Sequence, residues 1–197
     1  KIPKNMKTTL ATILTLICIK VSAQNSDLII TTSNDTILVD KVSIKANYIK
    51  VRKNKKNTRY PYSEIKSLYK LKRKFYYDKI ENSAHINSDE DFMKREVDGK
   101  IKFYGYYIGA QGGGQGYSYY FISKNGIVRE LSGGMFRFGT ESVVNKVRAF
   151  INDDKEILNE LNSIKKLKLE NLKKLLKKYN LNYEEKKSKT QKDNQKN

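Results

Sequence analysis

Cysteine, histidine and tryptophan are nearly absent from this 197-residue chain, which has one cysteine, one histidine and no tryptophan. A single cysteine, Cys18, excludes an internal disulfide and any metal site built from several thiolates. The only histidine, His85, would have to serve as the base of a Ser-His-Asp hydrolase, yet it lies in a polar connecting stretch. The sequence therefore predicts no catalytic residue, no metal site and no cofactor.

Acidic residues are also scarce, with 21 Asp and Glu against 40 Lys and Arg. The acidic run Asp89–Asp91 lacks the alternating oxygen ligands and the glycine bend of a calcium loop, so we interpret it as a solvated cap. A hydrolase that uses two carboxylates stays open as an alternative, because any two acids can meet in a folded chain.

The first 23 residues have the features of a secretion signal. A lysine follows Met6, an uncharged and mostly apolar run fills 8–19, and 21–23 supply the small residues that a signal peptidase reads. The run of 12 residues is shorter than the roughly 20 that span a bilayer. We therefore expect residues 1–5 to precede the true start. The mature chain would be exported to the periplasm, the outer-membrane surface or the medium, with no cysteine and no transmembrane segment.

The formal net charge is +19, and it falls to +15 without the first 23 residues, which hold four lysines and no acid. Such a charge favours polyanions, for example an anionic envelope polysaccharide or lipid headgroups. Only seven of the 40 basic residues are arginine, the side chain that grips phosphate best, so nucleic acid is disfavoured. The alternative is that the lysines only solvate the surface.

Strand patterns fill the first half of the mature chain. Between 27 and 71, short apolar and β-branched stretches alternate with turn residues, and Pro61 restricts its own stretch to an edge or a bend. The spacing leaves no room for crossover helices, so 24–71 is predicted to be an antiparallel β-roll or a small barrel. Residues 70–90 are weakly patterned and are predicted to be a connector. Within it, residues 75–77 can form one more strand.

Two hairpins are predicted between 91 and 131, because Asp98-Gly99 and Asn125-Gly126 each separate two strand-like stretches. Together they make a four-stranded meander. After Gly139 the period becomes helical, and 140–180 is predicted to hold three helices. Thr140 would cap the first, Asp153 with Glu156 would open the second, and the third would cover roughly 169–179.

Tyrosine is the most suggestive residue type of the meander. Aromatic side chains alternate onto both faces of its two central strands, unlike a sheet with one wet side. One interpretation is that helices cover one face and the β-roll the other. The other is an amphipathic surface for a partner or a glycan. The candidate binding residues are Tyr104, Tyr106, Tyr117, Tyr119 and Tyr120.

Two further binding candidates are a glycine loop and a lysine-rich helix. Gly112, Gly113 and Gly114 precede a strand rather than a helix, so they are not a phosphate-cradling loop, but they can form a mobile lip over a binding surface. On the third helix, lysines lie opposite the leucines, which fits either an anionic surface or packing of the leucines against the sheet. These are Lys173, Lys174, Lys177 and Lys178.

The chain resembles uncharacterised secreted proteins of Bacteroidota. The resemblance rests on the signal ending in Ala23-Gln24, on DLIITTSNDTILVDKVSI, VDGKIKFYGYY and YYFISKNG, and on the closing FINDDKEILNELN and LLKKYN. The 28–69 stretch is also similar to an Sm-like or SH3-like small barrel. The resemblance implies no activity.

The predicted fold is thus α+β: a β-roll or small barrel (24–71), a β-meander (91–131) and a helical cap (140–180) in one domain of residues 24–183. A basic tail, 184–197, has no apolar residue to bury and is predicted to be disordered. The favoured function is a non-enzymatic binding protein of the cell envelope that contacts an anionic component or a protein partner. A secreted hydrolase and a structural subunit of an envelope assembly are the alternatives.

Overall fold

The computed structural model describes residues 26–45, 47–81, 90–108, 116–132 and 139–194. The predicted signal, His85, Asp89 and the glycine loop Gly112–Gly114 lie outside the described residues. The chain forms two compact units, divided between Lys79 and Ile80. The predicted α+β class is confirmed: antiparallel sheets are followed by three helices, and the described strands close no barrel.

The first unit is built from seven strands in two antiparallel sheets. One has the order β2-β1-β6-β7 and the other the order β3-β4-β5. The strands are β1 Asp27–Thr31, β2 Thr36–Val39, β3 Lys41–Ile44, β4 Tyr48–Lys53, β5 Lys56–Pro61, β6 Ile65–Lys70 and β7 Phe75–Glu81.

Short turns set the register of these strands. Asn54 and Lys55 both have positive φ, as the tight two-residue hairpin between β4 and β5 requires. Pro61 ends β5 at the edge of its sheet, as predicted, because its missing N–H removes a ladder hydrogen bond. A 3-10 turn, Leu71–Arg73, follows β6 and ends at Lys74 in the left-handed conformation. The alternate side chains that point inwards, including Ile29, Ile49, Ile65 and Leu68, are fully buried.

The second unit is a meander covered by helices. Its strands, in the order β8-β9-β10-β11, are β8 Glu90–Val97, β9 Ile101–Ile108, β10 Tyr117–Lys124 and β11 Ile127–Ser132. Both predicted hairpin turns are present, with positive φ at Gly99, Asn125 and Gly126. The helices are α1 Glu141–Ile151, α2 Lys155–Ser163 and α3 Leu169–Asn194.

The helices bury their apolar stripes against one face of the meander. Phe103 and Ile122 of the sheet pack in one cluster with Val147 of α1, Leu161 of α2 and Leu176 of α3. None of the helices in the described ranges is both long enough and apolar enough to cross a membrane.

Helix ends differ from the sequence expectation at three places. The N-cap of α2 is Asp154, not Asp153, and its carboxylate accepts hydrogen bonds from the backbone N–H groups of Glu156 and Ile157. Helix α3 continues to Asn194 through the segment predicted to be a disordered tail. Glu, Lys and Gln are good helix formers, and Lys186 anchors this turn of the helix to Asp154 at 2.9 Å. Thr140 precedes α1 as predicted, but its side chain makes no capping hydrogen bond.

Candidate anion-binding site

Alternation along β3, β4 and β5 sorts apolar and basic side chains onto opposite faces of the small sheet. Val42, Ile49 and Val51 point inwards and are buried. Five of the intervening side chains are exposed and basic, and we call these five the basic face: Lys41, Lys45, Lys50, Arg52 and Arg59. The first four line a shallow depression of about 200 Å³ together with Ser43 and Asn57.

Like charges stand directly opposite each other across this face. Lys41 pairs with Arg52 in the β3–β4 register. Lys50 pairs with Arg59 in the β4–β5 register. Side chains at such positions lie close together, and like charges there destabilise a sheet by up to about 1 kcal/mol per pair. The fold therefore keeps an arrangement that costs it stability when no ligand is bound.

The basic face has no carboxylate partner among the residues that the structure describes. None of its five cations forms an ion pair with an acid in the part of the chain that the structure describes. Arg59 lies over the ring of Tyr48, with its guanidinium carbon 5.0 Å from the ring centroid, which holds the arginine without cancelling its charge. Residues 26–79 carry 14 Lys and Arg against five Asp and Glu, a net charge of +9.

Several lysines of the second unit are placed differently. Lys94 lies 2.6 Å from Glu96, and Lys173 on α3 lies 3.4 Å from the same carboxylate. Lys178 lies 2.8 Å from both Glu156 and Glu160. These hydrogen bonds raise the pKa of Lys178 above its usual range, so its charge is both permanent and compensated. These three lysines are paired with carboxylates, whereas the cations of the basic face have no such partner among the described residues.

Of the four lysines predicted to form a cationic helix surface, two are thus engaged within the protein. Lys173 and Lys178 are bound to carboxylates, whereas Lys174 and Lys177 are exposed. The leucines on the other side of α3 are buried in the core, which agrees with the packing interpretation of this helix.

The five candidate tyrosines are not brought together on one exposed surface. Tyr120 faces the helices and stacks on Phe103, with the ring centroids 5.7 Å apart. Tyr104 is buried on the opposite face of the meander with Phe121, and Tyr106 and Tyr119 pack partly buried against that cluster. Tyr117 is the exposed member of the set.

Two adjacent carboxylates line a groove of about 410 Å³ beside α3, but they do not have the environment of a hydrolytic pair. Asp153 accepts hydrogen bonds from Lys124 at 2.8 Å and from the hydroxyl of Tyr179 at 3.0 Å. Asp154 binds two backbone N–H groups and Lys186. Burial alone would raise the pKa of each, but these partners outweigh it and hold both pKa values below the usual range. Neither acid would stay protonated near neutral pH, as a general acid must.

Large exposed apolar side chains, the sign of a structural subunit, are spread over several elements of the described chain. They are Leu38, Tyr76, Tyr107, Tyr117, Ile127, Val128 and Leu181.

Sequence reasoning missed the basic face, although its signal was present. In KVSIK (41–45) and YIKVR (48–52) the cations occupy alternate positions, which they share with one serine and one tyrosine. A period of two puts all of them on the face opposite the apolar residues.

The chain matches no family model, no curated protein and no solved structure, so its function has to be argued from these residues.

Proposed function

We propose that this protein is a non-enzymatic binding protein that holds an anionic polysaccharide of the cell envelope on the basic face. The observation that carries the proposal is the set of five exposed cations without a carboxylate partner in the described chain, two pairs of which face each other across the strands. An extended polyanion would supply the missing negative charge and relieve the repulsion.

The chemistry of the basic face favours a hydrated polymer over a lipid surface. Proteins that lie on a membrane insert apolar or aromatic side chains between the headgroups. The residues that share the face with the five cations are Ser43, Tyr48, Asn57 and Pro61, and Tyr48 is covered by Arg59. The face therefore offers charge and hydrogen bonds but no apolar wedge.

The same residues disfavour single-stranded nucleic acid, whose binding sites combine cations with several open aromatic platforms for the bases. Tyr48 is the one aromatic ring on the basic face, and a guanidinium already lies over it. Export, which the N-terminal signal predicts, would place this face among the acidic polysaccharides of the envelope rather than among nucleic acids.

The test is a titration of the protein with dextran sulfate at several salt concentrations, with uncharged dextran as the reference. The variant is Lys50→Gln/Arg52→Gln, which removes two charges from the basic face. Its matched control is Lys174→Gln/Lys177→Gln, which removes two exposed charges from α3. Both variants have the same net charge, so a difference in their affinity for dextran sulfate shows that the position of the charges matters.

We expect the Lys50/Arg52 variant to bind dextran sulfate about ten-fold more weakly, since each lost contact is worth up to about 1 kcal/mol. The control should stay within two-fold of the parent. The slope of log K against log salt should be about −3.5 for five contacts and about −2 for the variant. Equal weakening in both variants would show that net charge alone drives binding and would overturn the proposal. Tighter binding to anionic vesicles than to dextran sulfate would replace the polysaccharide with a lipid surface.

A further inference from the structure

A second basic feature of the first unit is a cavity of about 670 Å³ beside the basic face. Its lining has four cations and two acids, a formal charge of +2, and three apolar side chains. The cations are Lys41, Lys70, Lys72 and Arg73, the acids are Asp27 and Asp40, and the apolar residues are Val42, Ile44 and Leu71. The volume is within the range of pockets that hold small molecules.

One carboxylate fixes two walls of this cavity. Asp27 on β1 accepts a hydrogen bond from the backbone N–H of Val42 at 2.9 Å and another from the N–H of Leu71 at 2.9 Å. It thereby ties β3 and the 3-10 turn after β6 to the same strand. Each oxygen of Asp27 accepts one backbone hydrogen bond, so this acid has a structural role in joining the two walls.

Lys70 is the most enclosed of the four cations. It is partly buried, it forms no ion pair with a carboxylate of the described residues, and its ammonium lies 5.2 Å from the centroid of the Tyr77 ring. Burial lowers the pKa of Lys70, and the nearby charges of Arg73 and Lys41 lower it further, while Asp27 opposes them in part. A partly buried ammonium among other cations destabilises the fold unless an anion binds beside it.

We propose that this cavity binds the phosphate of a phosphomonoester. Converging cations favour a doubly charged oxyanion over a single carboxylate, and arginine with lysine is the usual pair for phosphate. Lys41, Lys70 and Arg73 would hold the phosphate, and the apolar wall of Val42, Ile44 and Leu71 would contact the rest of the molecule. The body of the ligand is a soluble sugar or glycerol phosphate, or the headgroup of a lipid with a terminal phosphate; both present the same group.

Calorimetric titration with glycerol 3-phosphate tests the proposal, with glycerol and acetate as reference ligands. Lys70→Gln and Arg73→Gln should each weaken glycerol 3-phosphate binding at least ten-fold, because each removes a charge-assisted hydrogen bond. Lys66→Gln is the matched control: it removes one charge from the same strand, outside the lining. Melting curves without ligand show whether each variant is folded, and a folded Arg73→Gln that has lost binding suffices if Lys70→Gln does not fold.

Acetate binding as tight as glycerol 3-phosphate, or no detectable binding of glycerol 3-phosphate and of short-chain phosphatidic acid at 10 mM, would overturn the proposal. Tighter binding of phosphatidic acid would support it and identify the lipid as the source of the phosphate; tighter binding of glycerol 3-phosphate would support it with a soluble ligand. The cavity and the polymer site share Lys41, so the variants that distinguish them change residues that belong to one site only. Lys50→Gln/Arg52→Gln should leave phosphate binding unchanged, and Lys70→Gln should leave the salt slope for dextran sulfate unchanged.

Discussion

Asn180 on α3 connects the helix to the first hairpin of the meander, and its replacement by alanine gives a stability prediction that can be worked from the contacts. Its side-chain amide donates to the backbone carbonyls of Asp98 at 2.9 Å and Ile101 at 2.8 Å, and its oxygen accepts from the N–H of Ile101 at 2.8 Å. The side chain is 7% exposed, so water cannot easily replace it.

Three hydrogen bonds at about 1 kcal/mol each give a loss of about 3 kcal/mol, and the buried N–H and C=O groups of Ile101 are left unpaired. Alanine recovers about 0.5 kcal/mol through its higher helix propensity. We therefore expect Asn180→Ala to lower the free energy of unfolding by about 2 to 3 kcal/mol. That is a large share of the 5 to 15 kcal/mol typical of a domain.

Gly99 supplies an internal check on this reasoning. A Cβ at Gly99 would lie 2.5 Å from Cγ of Asn180, and the φ of +135° is itself unfavourable for alanine. Gly99→Ala should therefore destabilise the protein through both a clash and backbone strain. In the Asn180→Ala background the contacts with Cγ and Nδ2 are gone, while the contact with Cβ at 2.9 Å and the backbone strain remain. The double variant should therefore lose about 1 kcal/mol less than the sum of the two single losses.

The assay is urea unfolding followed by far-ultraviolet circular dichroism and by tyrosine fluorescence, whose coincidence checks two-state behaviour. Asn171→Ala, at an exposed position of the same helix, is the control and should change stability by less than about 0.5 kcal/mol. A loss below 1 kcal/mol in Asn180→Ala, or strict additivity with Gly99→Ala, would refute this account of the α3–hairpin contact.

Three further predictions concern the cap, the core and the basic face. Asp154→Ala should cost about 1 to 2 kcal/mol at pH 7 through loss of the α2 cap. The pKa of Asp154 is lower in the folded than in the unfolded protein. Its contribution to the free energy of unfolding is therefore complete above about pH 4 and is lost as the pH falls through the folded pKa. The unfolding curves of the parent and the variant should then converge in acid. Leu176→Ala should lower the free energy of unfolding by about 2 to 5 kcal/mol, and Leu181→Ala by less than about 0.5 kcal/mol, because these leucines are 0% and 66% exposed. Chemical denaturation of the two variants measures this difference. Arg52→Glu should stabilise the unliganded protein by about 0.2 to 1 kcal/mol at low salt, opposite Lys41, while weakening dextran sulfate binding; a loss of stability would contradict the repulsion argument.

Local chemistry was enough to predict much of the second unit. The Asp98-Gly99 and Asn125-Gly126 turns need positive φ within two residues, so the hairpins depend on neighbours in sequence. The apolar stripes of the helices follow from a period of 3.6 residues in the same way. The fold class required no more than these signals.

Features that depend on distant residues could not be predicted. Asp154, the α2 cap, also binds Lys186 and Asn182, which reach it from α3. The same contact holds α3 helical beyond residue 183, where composition alone indicated disorder. The walls of the phosphate cavity meet only because Asp27 binds backbone groups 15 and 44 residues away.

The candidate site was missed for a different reason. The sequence points to the lysines of the long helix, where amphipathicity is easy to see, and to the tyrosines of the meander, where they are numerous. In the folded chain Lys173 and Lys178 are paired with carboxylates, and most of the candidate tyrosines pack against other side chains. Neither set therefore forms an open binding surface. Whether a cation has a partner is a property of the folded chain and has no signature in the sequence.

Nuclear magnetic resonance of the ¹⁵N-labelled protein, titrated with a short sulfated dextran, tests the polysaccharide site most directly. Backbone amide shifts should concentrate on β3, β4 and β5, around Lys50 and Arg52. Shifts centred on Lys174 and Lys177 of α3, or on the tyrosines of the meander, with the small sheet unchanged, would contradict the assignment of the basic face.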